Sequence, residues 1–160
     1  MTIDATARFE NVEASLRVYV DTSLVTGQSM TIDWGHVKED SGGWTEWVQP
    51  RLMATTGRKH RRQVSATHRG NTVFALFSLN VFLKTGTSTN AYRLLELRDK
   101  VSQYFQINQS INLVDYAGES ATVGTLVVDE IVTDRPIPSP SPEHIAQWNI
   151  TVSLRWLEKI

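Results

Sequence analysis

No cysteine occurs in these 160 residues, which removes disulfide frameworks, thiolate metal sites and cysteine nucleophiles in one step. A reducing compartment, the cytoplasm, is the expected setting. Net charge is almost absent too. The 16 basic and 17 acidic residues leave −1 and a pI near 6.4, so the whole molecule has no field to draw it to nucleic acid or an anionic membrane. Long apolar runs are lacking: no stretch approaches the roughly 20 residues that span a bilayer. The opening MTIDATARFENVEASL has neither the basic start nor the apolar core of a secretory signal.

Chemical motifs are missing as well. There is no GxGxxG, no GxxxxGK followed by Ser or Thr, and no GxSxG, so phosphate cradles and nucleophile elbows have no support. His36, His60, His68 and His144 are scattered, without the HxH or HExxH spacing that ligates a metal, and are read as surface or turn residues. Glu39 with Asp40 and Asp129 with Glu130 are adjacent acids; neighbours in a strand point to opposite faces and in a loop are solvated. No catalytic set, metal or cofactor is therefore expected, and the chain is not read as an enzyme.

What is present is a globular composition, 41% hydrophobic and 21% charged with five tryptophans, at a length that suits one domain spanning 1–160. Phe9, Val12, Leu16 and Tyr19 recur at helical spacing and predict a helix over Thr6 to Val20. Ser29 to Trp34 reads as a strand, 35–43 as a loop, and Trp44 to Thr55 as a strand that Pro50 demotes to an edge or a bulge. Val64 to Thr67 and then Val73 to Leu83 follow, the latter with Ala75, Phe77, Leu79, Val81 and Leu83 on one buried face.

A turn at Gly86 to Asn90 leads into a second helix, Asn90 to Phe105. There Leu94, Leu97, Val101 and Tyr104 form the inner stripe, Leu95 and Phe105 widen it, and Glu96 pairs with Lys100. Ile111 to Tyr116, Ala121 to Thr133 and Gln147 to Leu157 complete the strands, the last alternating Trp148, Ile150, Val152, Leu154 and Trp156 against polar neighbours. Between them Asp134 to Glu143 carries Pro136, Pro138, Pro140 and Pro142, which predicts an extended solvated loop outside helix and sheet. Helix, strands, helix, strands, without βαβ alternation, gives an α+β fold: an antiparallel or mixed sheet with two helices packed on one face.

Two groups of residues stand out as possible contact surfaces. Arg58, Lys59, Arg61 and Arg62, with Arg69 nearby, form the one concentrated charge; a solvated hairpin end is the plain reading and a phosphate or acidic-surface contact the functional one. Trp34, Trp44 and Trp47 share one region and are either partly buried strand residues or partner anchors.

The order of elements, with the apolar strand closing in LKTGTSTNAYRLLELRDKVSQYF and the final strand WNITVSLRWLEKI, resembles the tail terminator (tail completion) family of long-tailed bacteriophages. The pattern extends over nearly the whole chain, with extra length around 35–43 and 134–143. The resemblance implies a virion protein of the tail and neck, assembled in the host cytoplasm. It would form a ring, usually a hexamer, on the head-proximal end of the tail tube. There it would stop tube polymerisation and dock the head connector while DNA passes through the lumen without sequence-specific binding. It implies no catalytic residues.

In that setting Arg58, Lys59, Arg61, Arg62 and Arg69 are the candidate lumen or docking surface, and Pro136, Pro138, Pro140 and Pro142 the candidate inter-subunit arm. A head completion protein or a tail tube subunit is the nearest alternative. A small nucleic-acid-binding module using the basic turn is the alternative of a different class.

Overall fold

Cross-strand alternation of apolar side chains builds the centre of the molecule. The computed structural model describes residues 3–35, 43–53, 60–63, 69–84, 92–138 and 145–159. Along the chain run a 3₁₀ turn at Ala5–Ala7 and α1 (Phe9–Val20), which continues into a π-helical turn at Asp21–Thr26. There follow β1 (Glu46–Met53), β2 (His60–Gln63), β3 (Arg69–Lys84), α2 (Arg93–Ser102), β4 (Ser110–Val114), β5 (Thr122–Ile137) and β6 (Ile145–Lys159). The strands form one antiparallel sheet in the order β1-β3-β6-β5-β4, with β2 also paired to β3. The expected α+β class is what the chain adopts.

β3 and β6 pair over fifteen residues, from Gly70 with Lys159 to Lys84 with Ile145. On the core face Ala75, Phe77, Leu79 and Val81 lie beside Leu154, Val152, Ile150 and Trp148. Both helices cover that face: Val12, Leu16 and Val20 of α1 and Leu97 and Val101 of α2 join the strand residues in one buried cluster. Tyr19 donates its hydroxyl to the Tyr104 carbonyl at 2.8 Å and meets Phe105 edge-on, which ties the two helices together.

Several local expectations change. Ser29 to Trp34 forms no strand; Ser29 takes φ 55°, and the segment keeps a single parallel bridge, Ile32 to Val48. A residue of that φ bends the chain away from an extended path. Helix α1 starts at Phe9, after Asp4 caps the preceding turn by accepting from the Thr6 amide at 2.9 Å, and Phe9 is half outside the core. Leu95 is exposed, not part of the inner stripe. Glu96 pairs with Arg93 at 2.9 Å instead of Lys100. The expected loop over 36–42, strand over 64–67 and turn over 86–90 lie outside the described residues.

Pro50 behaves as its position requires. Val48 donates its amide outward to Thr31, away from β3, so Pro50 two residues on turns its missing N–H to the same outer side and costs no ladder bond. The expected solvated loop at 134–143 is corrected in its first part: Asp134, Arg135, Pro136 and Ile137 belong to β5, and Pro136 lies opposite Trp148. The proline is tolerated because β4 ends well short of it, which makes this half of β5 an edge strand.

Candidate assembly surfaces

The edges of the sheet are treated unequally. β4 is closed by helix α1, whose polar residues stand in for a missing strand. Ser15 Oγ accepts from the Val114 amide at 3.0 Å, and Asn11 Oδ1 from the Tyr116 amide at 3.2 Å. The same Asn11 donates to Asp115 Oδ1 at 3.0 Å, so both ends of its amide are used and it tolerates burial. β1 is covered near Val48 by Thr31 and Asp33, which exchange backbone bonds with it at 2.9 and 2.8 Å.

β5 is different. Its pairing to β4 covers Thr122 to Val127, and Val128 adds two bonds to Gln109 and Asn108. From Asp129 to Ile137 the outer edge has no strand beside it among the described residues. Register shifts between Val128 and Glu130 and between Ile131 and Thr133, together with Pro136, break up this edge. Bulges and proline on an edge disfavour indiscriminate strand addition. Its side chains remain available: Ile131 is 41% exposed, Val132 49%, and neighbouring Ile107 56%.

Helix α2 is fastened at both sides by arginines. Arg93 grips Glu46 of β1 through Nε at 2.6 Å and a second nitrogen at 2.9 Å. Arg98 grips Asp134 of β5 through Nε at 3.0 Å and a second, very short contact from its terminal nitrogen, while Trp148 donates to the same carboxylate at 2.7 Å. The arginine hydrogen bonds hold both carboxyls below their ordinary range, against the opposing effect of burial. In return the carboxylates raise both guanidinium pKa values. A polar cleft of about 370 Å³ opens beside the first clasp, lined by Gln28, Trp44, Glu46, Trp47, Arg93 and Lys100 among others.

The helix-free face of the sheet carries a polar ladder. Asn149 donates to Ser78 Oγ at 2.9 Å and to Asn80 Oδ1 at 2.8 Å; Gln147 donates to Asn80 at 3.1 Å and Thr151 to Ser78 at 3.2 Å. No local pattern in the sequence marks the ladder, because each partner pair lies about seventy residues apart along the chain. At its end Trp47 stacks on Phe82 with ring centroids 5.0 Å apart and Trp44 tilts onto Trp47, whereas Trp34 meets helix α1, with Arg17 4.9 Å over its ring. The three tryptophans thus do not form one anchor.

Three of the basic residues lie on the paired strands β2 and β3. Arg61 and Arg62 lie on β2 opposite Asn71 and Gly70, and Gln63 lies opposite Arg69. Arg58 and Lys59 lie outside the described residues. Of the proline arm, Pro136 is in β5 and Pro138 follows its end, exposed; Pro140 and Pro142 lie outside the described residues. Of the histidines His60 is in β2, and the other three lie outside the described residues, as do Glu39 and Asp40. Asp129, at the first bulge of β5, pairs with Arg155 at 2.8 Å. Among the described residues no group of three or more His, Asp or Glu is placed to hold a metal, and no helix is long and apolar enough to cross a membrane.

No family model matches the chain, and no curated protein matches it significantly in sequence. Among the solved structures similar to this chain is one, of a protein that carries no functional name, with a TM-score of 0.58 at 11% identity, over 96% of this chain and 97% of its own. At that identity the likeness is one of fold.

Proposed function

We propose that this chain is a tail-terminator-type assembly protein of a long-tailed bacteriophage. In this reading it forms a ring, a hexamer in the family it resembles, on the head-proximal end of the tail tube. The ring stops tube growth and receives the head connector, and DNA passes through its lumen. The observation that carries the reading is the half of β5 that no strand flanks among the described residues, with exposed Ile131 and Val132. Exposed apolar side chains on a strand edge suit a subunit that meets identical neighbours. The element order, helix-strands-helix-strands with both helices on one face, supports it as well.

In this assembly Arg61, Arg62 and Arg69, brought to one hairpin by β2 and β3, are the docking or lumen charge, repeated once per subunit around the axis. The β5–β6 hairpin, with Pro136 and Pro138, is the arm. No catalytic step, metal or cofactor is assigned.

The test is the mass distribution of the purified protein alone and mixed with its cognate tail tubes, with negative-stain images of the tube ends. A closed ring, or a cap at one end that halts growth, is the expected result. Long tubes formed by the protein alone would identify a tube subunit. A monomer indifferent to tubes that binds DNA in a salt-sensitive way would replace the reading with a nucleic-acid-binding module. Charge reversal at Arg61 and Arg62 is expected to impair head joining while leaving the ring intact.

A further inference from the structure

One transverse row of side chains crosses the core face of the sheet: Leu52 on β1, Phe77 on β3, Val152 on β6 and Ile131 on β5. Each end of this row meets solvent in a complementary form. At the β1 end lies a groove of about 400 Å³ walled by Trp34, Pro50, Leu52 and Phe77 and bordered by Glu13 and Arg51. At the β5 end stands the ridge of Ile131 and Val132, on the edge that no strand flanks among the described residues.

We infer that the ridge of one copy seats in the β1 groove of the next, so that the two sheet edges form a head-to-tail interface. The occupant is a second copy because the two halves of the contact are on the same chain, at opposite edges and at one level. A contact between the two ends of one row is heterologous, the kind that builds a ring when its rotation closes. Charge agrees with this seating. On the other face, Glu130 lies in the row of Met53, and Arg51 lies in the next row, that of Thr133. With the rows continued across the interface, exposed Glu130 comes diagonally opposite exposed Arg51, a step that an arginine side chain reaches. The inference rests on the ring reading above and specifies the surfaces that make the ring.

The chain has no native cysteine, which allows a direct test. Met53 is 39% exposed and Glu130 is exposed, so Met53→Cys and Glu130→Cys leave the core untouched. Within one molecule these positions are three strand spacings apart, roughly 14 Å, too far for a disulfide. The purified double variant, oxidised with copper phenanthroline, is expected to give a ladder of disulfide-linked multimers on a non-reducing gel, while each single variant stays monomeric. A double variant that stays monomeric, or a single variant that forms dimers, overturns the inference; the latter would mean a two-fold contact. Closed rings seen by mass photometry with no 53–130 disulfide would discard these edges and leave the ring reading standing. As an independent check, Arg51→Glu and Glu130→Arg should each raise the concentration needed for assembly roughly tenfold, and the double reversal should restore it.

Discussion

Arg98 and Asp134 join α2 to β5 at a level where, among the described residues, β5 pairs only with β6. The clasp ties α2 to this half of β5 from the core face, where Asp134 shares a row with Ile150. Asp134→Ala removes the acceptor shared by Arg98 and the Trp148 indole and is expected to cost about 1–2 kcal/mol, less than a fully buried pair because both side chains keep some water contact. Urea unfolding of the two proteins measures it.

The same carboxylate gives a pH signature. Asp134 and Glu46 both have folded pKa values below their ordinary 3.8 and 4.5, so the folded state binds their protons less readily than the unfolded chain does. Their stabilisation is complete above about pH 5 and is lost as the pH falls through the lowered values. Stability against pH between 5 and 2 should decline less steeply in Asp134→Asn than in the parent, and an identical slope would contradict the clasp.

Ser15 closes the β4 edge by accepting from the Val114 amide. Ser15→Ala leaves that part-buried amide without its partner and is expected to cost about 1–2 kcal/mol. Native-state hydrogen exchange at Val114 should accelerate in the variant. Unchanged protection there would mean that helix α1 does not seal the edge.

Leu154 and Val132 should separate folding from assembly. Leu154 is fully buried between Ala75 and Val128, and Leu154→Ala is expected to lower stability by about 2–5 kcal/mol. Val132 is 49% exposed at a bulge, and Val132→Ser should change monomer stability by less than about 0.5 kcal/mol while weakening ring formation. Denaturant midpoints and mass photometry on the same two variants make the comparison.

The sequence by itself determined the parts whose information is local. The alternation along β3 and β6 and the helical stripe of Val12, Leu16, Leu97 and Val101 each specify an element and its inner face within a few residues, because side-chain direction repeats with period two or 3.6. Pro50 marked an edge strand for the same reason: a lost amide restricts a residue wherever it stands.

Only the tertiary structure decided the rest. Pro136 could join β5 because β4 ends early, a fact about a different strand. The segment around Ile32 could not remain a strand once Ser29 turned the chain. The clasps of Arg93 and Arg98, the Asn149 ladder and the row from Leu52 to Ile131 all join residues far apart in the chain. Their partners are chosen by sheet register and by the packing of α2 on the sheet, which fix positions between elements and leave no periodic trace along any one of them.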